Sequence, residues 1–505
     1  QEYFLITKEM YDQRKDLQFT GRTLFGARPP KGQEMDDHYF GVIKPRVEAY
    51  MADLNEELWK LGILAKTQHN EVAPAQHELA PIYTTTNIAT DHNQLTMEIM
   101  QKVAARHGLV CLLHEKPFAG VNGSGKHNNW SISTDTGVNL LSPGETPYEN
   151  AQFLLFLCAV IKAVDDYQDL LRISVATAGN DLRLGAQEAP PAIVSIFLGD
   201  ELNAVLESLE NDTPYCGVKK TKMKLGVDVL PKFTKDNTDR NRTSPFAFTG
   251  NKFEFRMVGS ADSIACANIM LNSAVAESLR VYADYLEQAP DFQSALQEML
   301  KNTIKEHKRI IFNGNGYDDA WIQEATLKRG LSNYPSTPDC VPHILDRKNV
   351  ELLTGQKIYT EPELRARYEI VLENYCKSIV IEANTMVDMA EKEILPAITA
   401  YAMELAKTAA AKKALNEQIT CAFECERVKT LSALTDEIAL KIQELKKSLI
   451  SLKSTETVCE ESAFIRDQVL VKMRELRVPC DEAETITARK YWPFPTYGEL
   501  LFGVK

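Results

Sequence analysis

No stretch of this sequence stays apolar long enough to cross a bilayer: the longest run, residues 153–161, stops at Lys162, far short of the roughly 20 residues a spanning helix needs. A secretory start is missing as well. QEYFLITKEMYDQRKDLQ interleaves charged with apolar residues and has neither a basic head nor an apolar middle. Both absences point to a cytoplasmic protein that engages no membrane. Positive charge is scarce: 57 Lys and Arg face 70 Asp and Glu, a net charge of -13, which repels phosphate backbones and argues against nucleic acid as a partner. Paired CxxC ligands are absent, and the ten cysteines lie scattered, as reduced thiols do. The one close pair, Cys421 and Cys425, falls one turn apart in an expected helix, where two core-facing residues are a better reading than half a zinc site. Repeats and low-complexity linkers are lacking too. What remains, 44% apolar and 25% charged residues, is the composition of a folded globular protein, and 505 residues leave room for a catalytic domain with an appendage.

Up to about residue 345, short β-like runs, Gly/Pro/Asn loops and ordinary helices alternate; beyond it turn signals nearly vanish. The expected boundary therefore separates a catalytic part, residues 1–345, from a helical extension, residues 346–505. Long amphipathic helices are expected over residues 361–413 and 416–453. The second carries Leu431, Leu434, Ile438, Ile442, Leu445, Leu449 and Leu452 at three- or four-residue steps. A third helix, near residues 462–476, is expected to fold back as a hairpin, for packing or for a subunit contact. The opening QEYFLI reads as a strand with no turn or cap ahead of it, so a further domain is expected upstream.

Four segments carry the residue types that chemistry needs. In residues 116–133, KPFAGVNGSGKHNNWSIS, Gly120 to Lys126 copies most of a phosphate-cradling Walker loop, yet His127 stands where a metal-binding Ser or Thr belongs and a strand follows instead of a helix. The glycines instead allow close backbone approach to a ligand, with Asn122 and the Gly123 amide as donors and His127 as a metal ligand. A plain surface hairpin is the alternative. In NEVAPAQHELAP, residues 70–81, Glu71 and Glu78 face opposite sides of an unbroken strand, and Pro74 forces a bend or bulge that can turn both to one side. Two inward carboxylates call for a proton or a hard divalent cation; a solvated edge strand calls for neither. KFEFRMV, residues 252–258, alternates strictly, with Lys252, Glu254 and Arg256 on one face and Phe253, Phe255 and Met257 on the other. That polar face is either wet or, with Arg240 and Arg242 upstream, turned to phosphate with Glu254 on a metal. RLGAQEAPP, residues 183–191, is a loop bearing Arg183 and Glu188, either a lid or a bland connection.

As an ordered set these segments resemble glutamine synthetase, and the wording of KPFAGVNGSGKHNNWS and EAPPAIVS resembles its type III branch. NGSGKH is similar to that family's metal and glutamate loop, NEVAPAQHE to its paired metal glutamates, RLGAQEAPP to its gating flap, KFEFR to its metal-plus-arginine strand and QEYFL to its first metal strand. The likeness continues through the helical C-terminus to WPFPTYGELLFG. It implies an α+β fold, an antiparallel curved sheet of the glutamine synthetase and guanido kinase type flanked by helices, with a long-helix C-terminal extension. It implies that Glu2, Glu71 and Glu78 bind one Mg2+ or Mn2+ ion and that His127 and Glu254 bind a second. Asn122, Gly123, Arg183 and Arg256 are the implied glutamate ligands. Ser131, Arg242 and Lys252 are implied for ATP, with Tyr83 near adenine, and Glu188, Arg242 and Asn122 for catalysis. Lys252 stands where an arginine is more usual, Asn129 replaces a histidine and Ala247 an arginine.

The implied reaction joins ammonia to the side-chain carboxylate of glutamate. A carboxylate is a poor electrophile, so ATP first phosphorylates it, with cations and arginines neutralising the transferring group. A flap carrying Glu188 then shields the acyl phosphate from water, attracts ammonium and accepts its proton. The resemblance further implies a homo-oligomer, a dodecamer of two stacked rings in which a neighbour's N-terminal domain completes each site. Two rivals are a γ-glutamyl ligase that uses a larger amine and an inactive structural relative; Glu188 speaks against the first and the five matched metal ligands against the second.

Overall fold

The computed structural model describes residues 1–185, 189–215 and 243–505. The chain gathers into two units, one of residues 1–124, 177–179 and 369–505, the other of residues 125–176 and 180–368.

In the first unit a four-stranded sheet runs in the order β2-β3-β1-β4, with β1 Glu2–Thr7, β2 Ala65–Asn70, β3 Gln76–Pro81 and β4 Leu109–Leu112. All its pairings are antiparallel. β1 lies centrally and is apolar on both sides, so its two faces feed two cores. Tyr3 and Leu5 join Tyr50, Leu54 and Leu58 of the helix Pro45–Lys60 and Met100 and Val103 of the helix Thr86–Arg106. Phe4 and Ile6 pack with Leu112, Phe118, Tyr497 and Leu501, which brings the C-terminal tail under the sheet.

The long C-terminal helices build the third core of this unit. Helical structure runs unbroken from Glu361–Met389 through a π turn, Ala390–Ile394, into Leu395–Leu415, close to the expected span. The next helix, Ala422–Ser451, starts later than expected because residues 416–421 form the connection. Leu431, Leu434, Ile438, Ile442 and Leu445 are buried as their spacing predicts, and Leu449 and Leu452 are partly so. The cysteine expectation holds only in half. Cys421, ahead of the helix, is buried with Sγ 3.6 Å from the Ala409 carbonyl, whereas Cys425 is exposed. It precedes Leu431 by six residues, about 240° around the helix and off the apolar stripe.

The third helix, Val458–Phe464, a π turn Ile465–Val469 and Leu470–Ile486, runs past its expected end and through a buried Pro479. Burial of Cys480 and Ala483 beyond the proline sustains the stripe against the roughly 3 kcal/mol that an interior proline costs.

The second unit holds a four-stranded sheet in the order β5-β8-β7-β6, with β5 Gly125–Trp130, β6 Ile196–Phe197, β7 Phe246–Phe248 and β8 Phe253–Gly259. β5, β8 and β7 pair antiparallel and β6 joins β7 parallel. The Phe246 and Phe253 rings stack with centroids 4.6 Å apart. The most apolar run of the sequence becomes the buried body of the helix Ala151–Asp166, capped by the Asn150 side chain accepting from the Phe153 N–H at 3.0 Å. Among the described residues no helix is long and apolar enough to cross a membrane. Sheets flanked by helices, with long C-terminal helices, make the α+β architecture expected.

Candidate functional site

β2 and β3 form a hairpin whose turn is residues 71–75. Ala75 takes a left-handed φ of 63° there, the Glu71 N–H donates to the Gln76 carbonyl at 2.9 Å and the Gln76 N–H to Ala73 at 3.1 Å. The expected bend within one strand is thus a full chain reversal, and Pro74 sits in the turn, where a missing N–H takes nothing from the ladder. The reversal sets His69 directly opposite Glu78, and the β1–β3 register sets Glu2 directly opposite Glu78 on the other side. Directly paired residues share a face, so His69, Glu78 and Glu2 form a row across three strands.

Glu71, 2% exposed, closes the row from the turn. His69 Nε2 lies 2.9 Å from Glu78 Oε2, and Nδ1 lies 3.6 Å from Glu71 Oε1. Ligating atoms of these three residues all fall within 4.8 Å of one another. Carboxylates facing one another repel and call for positive charge between them. The hydrogen bond to Glu78 above all raises His69 to about 9, against the opposing effect of burial. Carboxylate oxygens with one imidazole also suit a divalent cation, for which His69 must give up its proton. His69 is the residue that sequence reasoning missed. Strand alternation gives no signal for it, because Glu71 lies in the turn; His69 joins the carboxylates through its cross-strand pairing with Glu78.

The Asn122–Ser124 loop is held against this sheet. Gln76 Nε2 donates to the Gly123 carbonyl at 2.9 Å and to Ser124 Oγ at 3.0 Å, and the Ser124 N–H reaches the Glu115 carbonyl at 2.8 Å. Asn122, buried, is bound twice to Gln33, at 2.8 Å each. Tyr83, in the same unit, is 93% exposed.

In the second unit the segment after Gly125 is a strand, not the helix of a phosphate loop. Lys126, buried, donates through Nζ to the carbonyls of Gly259 at 3.1 Å, Ser260 at 2.7 Å and Asp262. Lys126 pairs with Val258 and Asn128 with Phe255, so half-buried His127 faces two residues, Arg256 and Met257, across a bulge. Asn129 stands directly opposite Glu254. The alternation of β8 appears as expected: Phe253, Phe255 and Met257 are fully buried, while Glu254 and Arg256 share a face and pair at 3.0 Å.

Arg183 spends Nε on Asn180 at 3.0 Å and Nη2 on the Arg256 and Val258 carbonyls at 3.3 and 3.1 Å. A Cβ at Gly125 would come within 2.6 Å of its Nη1, so a larger residue there would displace the guanidinium. Lys252 is half-buried and Ser131 exposed. Glu188, Arg240 and Arg242 lie outside the described residues. A further group of metal-type side chains, Asp165, Asp166 and His307, is answered internally: His307 Nδ1 lies 2.8 Å from Asp165 and Arg309 Nε 2.9 Å.

The sequence model described as "Glutamine synthetase, catalytic domain" matches residues 1–175, and that described as "Glutamine synthetase C-terminal domain" matches residues 295–413. A glutamine synthetase of Butyrivibrio fibrisolvens is 52% identical over all of this chain and 72% of its own length. The chain belongs to the glutamine synthetase family. A type-3 glutamine synthetase of Dictyostelium discoideum is 47% identical over 99% of this chain and 69% of its own length, and a glutamine synthetase of Bacteroides fragilis 42% identical over 99% and 70%. Glutamine synthetases generally use ATP and divalent cations, and the row formed by His69, Glu78 and Glu2, closed by Glu71, offers donors suited to such a cation.

Proposed function

We propose that this chain forms glutamine from glutamate and ammonia at the expense of ATP, through a γ-glutamyl phosphate. The observation that carries this reading is the row of His69, Glu78 and Glu2 closed by buried Glu71, in a chain 52% identical to a glutamine synthetase. One Mg2+ or Mn2+ ion would be held by Glu2, Glu71 and Glu78, with His69 beside them, and a second by His127 and Glu254; these ions would supply positive charge toward the transferring phosphoryl group. Asn122 and the Gly123 amide donate to glutamate. Arg256 steadies the Glu254 carboxylate through their 3.0 Å pair, and Arg183 and Arg256 add positive charge for the anionic substrate. Ser131, Lys252 and Arg242 serve the nucleotide, with Tyr83 for adenine, and Glu188 attracts ammonium and takes up its proton. The working form is a homo-oligomer, a dodecamer of two stacked rings, in the cytoplasm.

The test follows glutamine and ADP with glutamate, ammonium, ATP and Mg2+. Glu78→Ala should abolish Mg2+-dependent turnover. Near-normal activity of that variant at saturating Mg2+ overturns the carboxylate row as the site, and turnover with a primary amine but not with ammonium replaces the reaction by amine ligation.

A further inference from the structure

Two hydrogen bonds tie Gln33 to Asn122, and together they fix which way each amide faces. The backbone N–H of Asn122 can only donate, so the Gln33 atom 2.8 Å from it is Oε1. The other Gln33 atom is then Nε2, a donor, and the Asn122 side-chain atom it meets at 2.8 Å is Oδ1. A backbone group thereby settles an orientation that two side-chain amides alone leave ambiguous. With Oδ1 turned to Gln33, the Asn122 carboxamide presents Nδ2, a donor, along its opposite edge. The segment that carries Gln33 is anchored at several points. The Gly26 N–H donates to Asp481 Oδ1 at 2.7 Å, and Glu34 accepts from the Gly32 N–H at 2.8 Å and from Arg28. Farther on, the His38 ring meets the Glu71 carbonyl at 2.7 Å, and Asn70 Nδ2 donates to the His38 carbonyl at 3.1 Å. One segment therefore braces both the Asn122 loop and the carboxylate hairpin.

We propose that Gln33 is a positioning residue for glutamate, locking Asn122 with its donor edge toward the substrate carboxylate. The proposal rests on the reading of Asn122 as a glutamate ligand. A carboxylate only accepts hydrogen bonds, so an Asn122 turned over would set Oδ1 against it, oxygen against oxygen. Gln33→Glu is the informative change. Its carboxylate still accepts from the Asn122 N–H, but its second oxygen cannot donate; it repels Oδ1 and draws Nδ2 toward itself, which inverts the amide.

Steady-state kinetics on the full enzyme test this with Gln33→Ala, Gln33→Glu, Asn122→Ala and the Ala/Ala double variant. Gln33→Met, of similar length and without hydrogen bonds, replaces Gln33→Ala if the latter fails to fold. Gln33→Ala should raise KM for glutamate about tenfold, the effect of one hydrogen bond to a charged group, and leave KM for ATP unchanged, while the urea midpoint falls only by the two hydrogen bonds lost. Gln33→Glu should raise it further. On the Asn122→Ala background the Gln33 change should add nothing, because its route through Asn122 is gone. Independent, multiplying losses in the double variant overturn the proposal, as does a less than twofold effect of Gln33→Ala where Asn122→Ala has a large one. If Asn122→Ala itself leaves KM for glutamate untouched, the underlying ligand assignment fails instead.

Discussion

Replacing Lys126 by methionine separates two roles that its surroundings suggest, phosphate binding by position in the sequence and backbone capping by position in the fold. Its Nζ, 4% exposed at the residue level, donates to three carbonyls at the end of β8 and in the turn beyond, those of Gly259, Ser260 and Asp262. Methionine keeps most of the volume and removes every donor. A hydrogen bond from a charged donor contributes about 1.5–3 kcal/mol, but the three share one ammonium and the turn can relax. The Asp262 carboxyl, raised chiefly by desolvation, also loses one of the two positive charges that oppose the rise, Lys126, and keeps Arg183. Leaving buried carbonyls without their donor costs about 1–3 kcal/mol, and the whole substitution should fall in that range. Urea unfolding of parent and variant measures the loss, and KM for ATP is determined on the folded enzyme. The expected outcome is a lowered midpoint with KM for ATP within about threefold, since a capping lysine supplies only stability while a phosphate-binding one supplies nucleotide affinity. Stability within about 1 kcal/mol of the parent, together with a tenfold or larger rise in KM for ATP, refutes the capping role.

Glu484 is raised to about 7, chiefly by desolvation, with the Ala27 N–H, Arg14 and Arg477 opposing and Asp481 adding to the rise. Because its folded value exceeds the unfolded value of 4.5, its contribution is complete below about pH 4.5 and is lost as pH rises through 7. Stability should decline by about 3 kcal/mol across that window, and Glu484→Gln should flatten the decline in urea melts taken from pH 5 to 8. For Glu188→Ala, glutamine formation should fall far more than ADP release, with ATP affinity spared; equal losses of both products remove Glu188 from the ammonium step.

The apolar stripe from Leu431 to Leu445 was legible because a 3.6-residue period leaves a direct trace in sequence. β8 was legible for the same reason, at period two. The carboxylate row was legible only in part. Glu71 and Glu78 could be paired by type, but whether Pro74 bends one strand or turns between two depends on β3 finding both β2 and β1, a non-local choice. His69 entered the row through that pairing and went unnoticed. Cys425 and the extent of the third helix failed on local grounds. A connection of six residues, 416–421, shifted the helix start, and a proline that reads as a stop is outweighed by the burial of Cys480 and Ala483 beyond it. The Gln33–Asn122 bridge spans 89 residues, and no periodicity encodes it.

The π turn at Ala390–Ile394 has a rotational meaning. Met386, Ala390, Ile394 and Ile398 are all buried in one core at steps of four. In a pure α-helix each such step overshoots a full turn by about 40°, so three of them would swing Ile398 about 120° away from the side Met386 faces. The π turn accommodates one extra residue and so takes back about 100° of that swing. Met386 and Ile398 thus keep nearly the same heading because the π turn absorbs the one residue by which the stretch between them exceeds three α-helical turns. Deleting one residue of 390–394 would leave a plain α-helix in which Ile398 stands eleven residues after Met386, about 20° from it, so Ile398 and Leu405 would still face the core, about 1.5 Å nearer along the axis. What this stretch conserves is heading, and the π turn is the device that conserves it with a residue to spare.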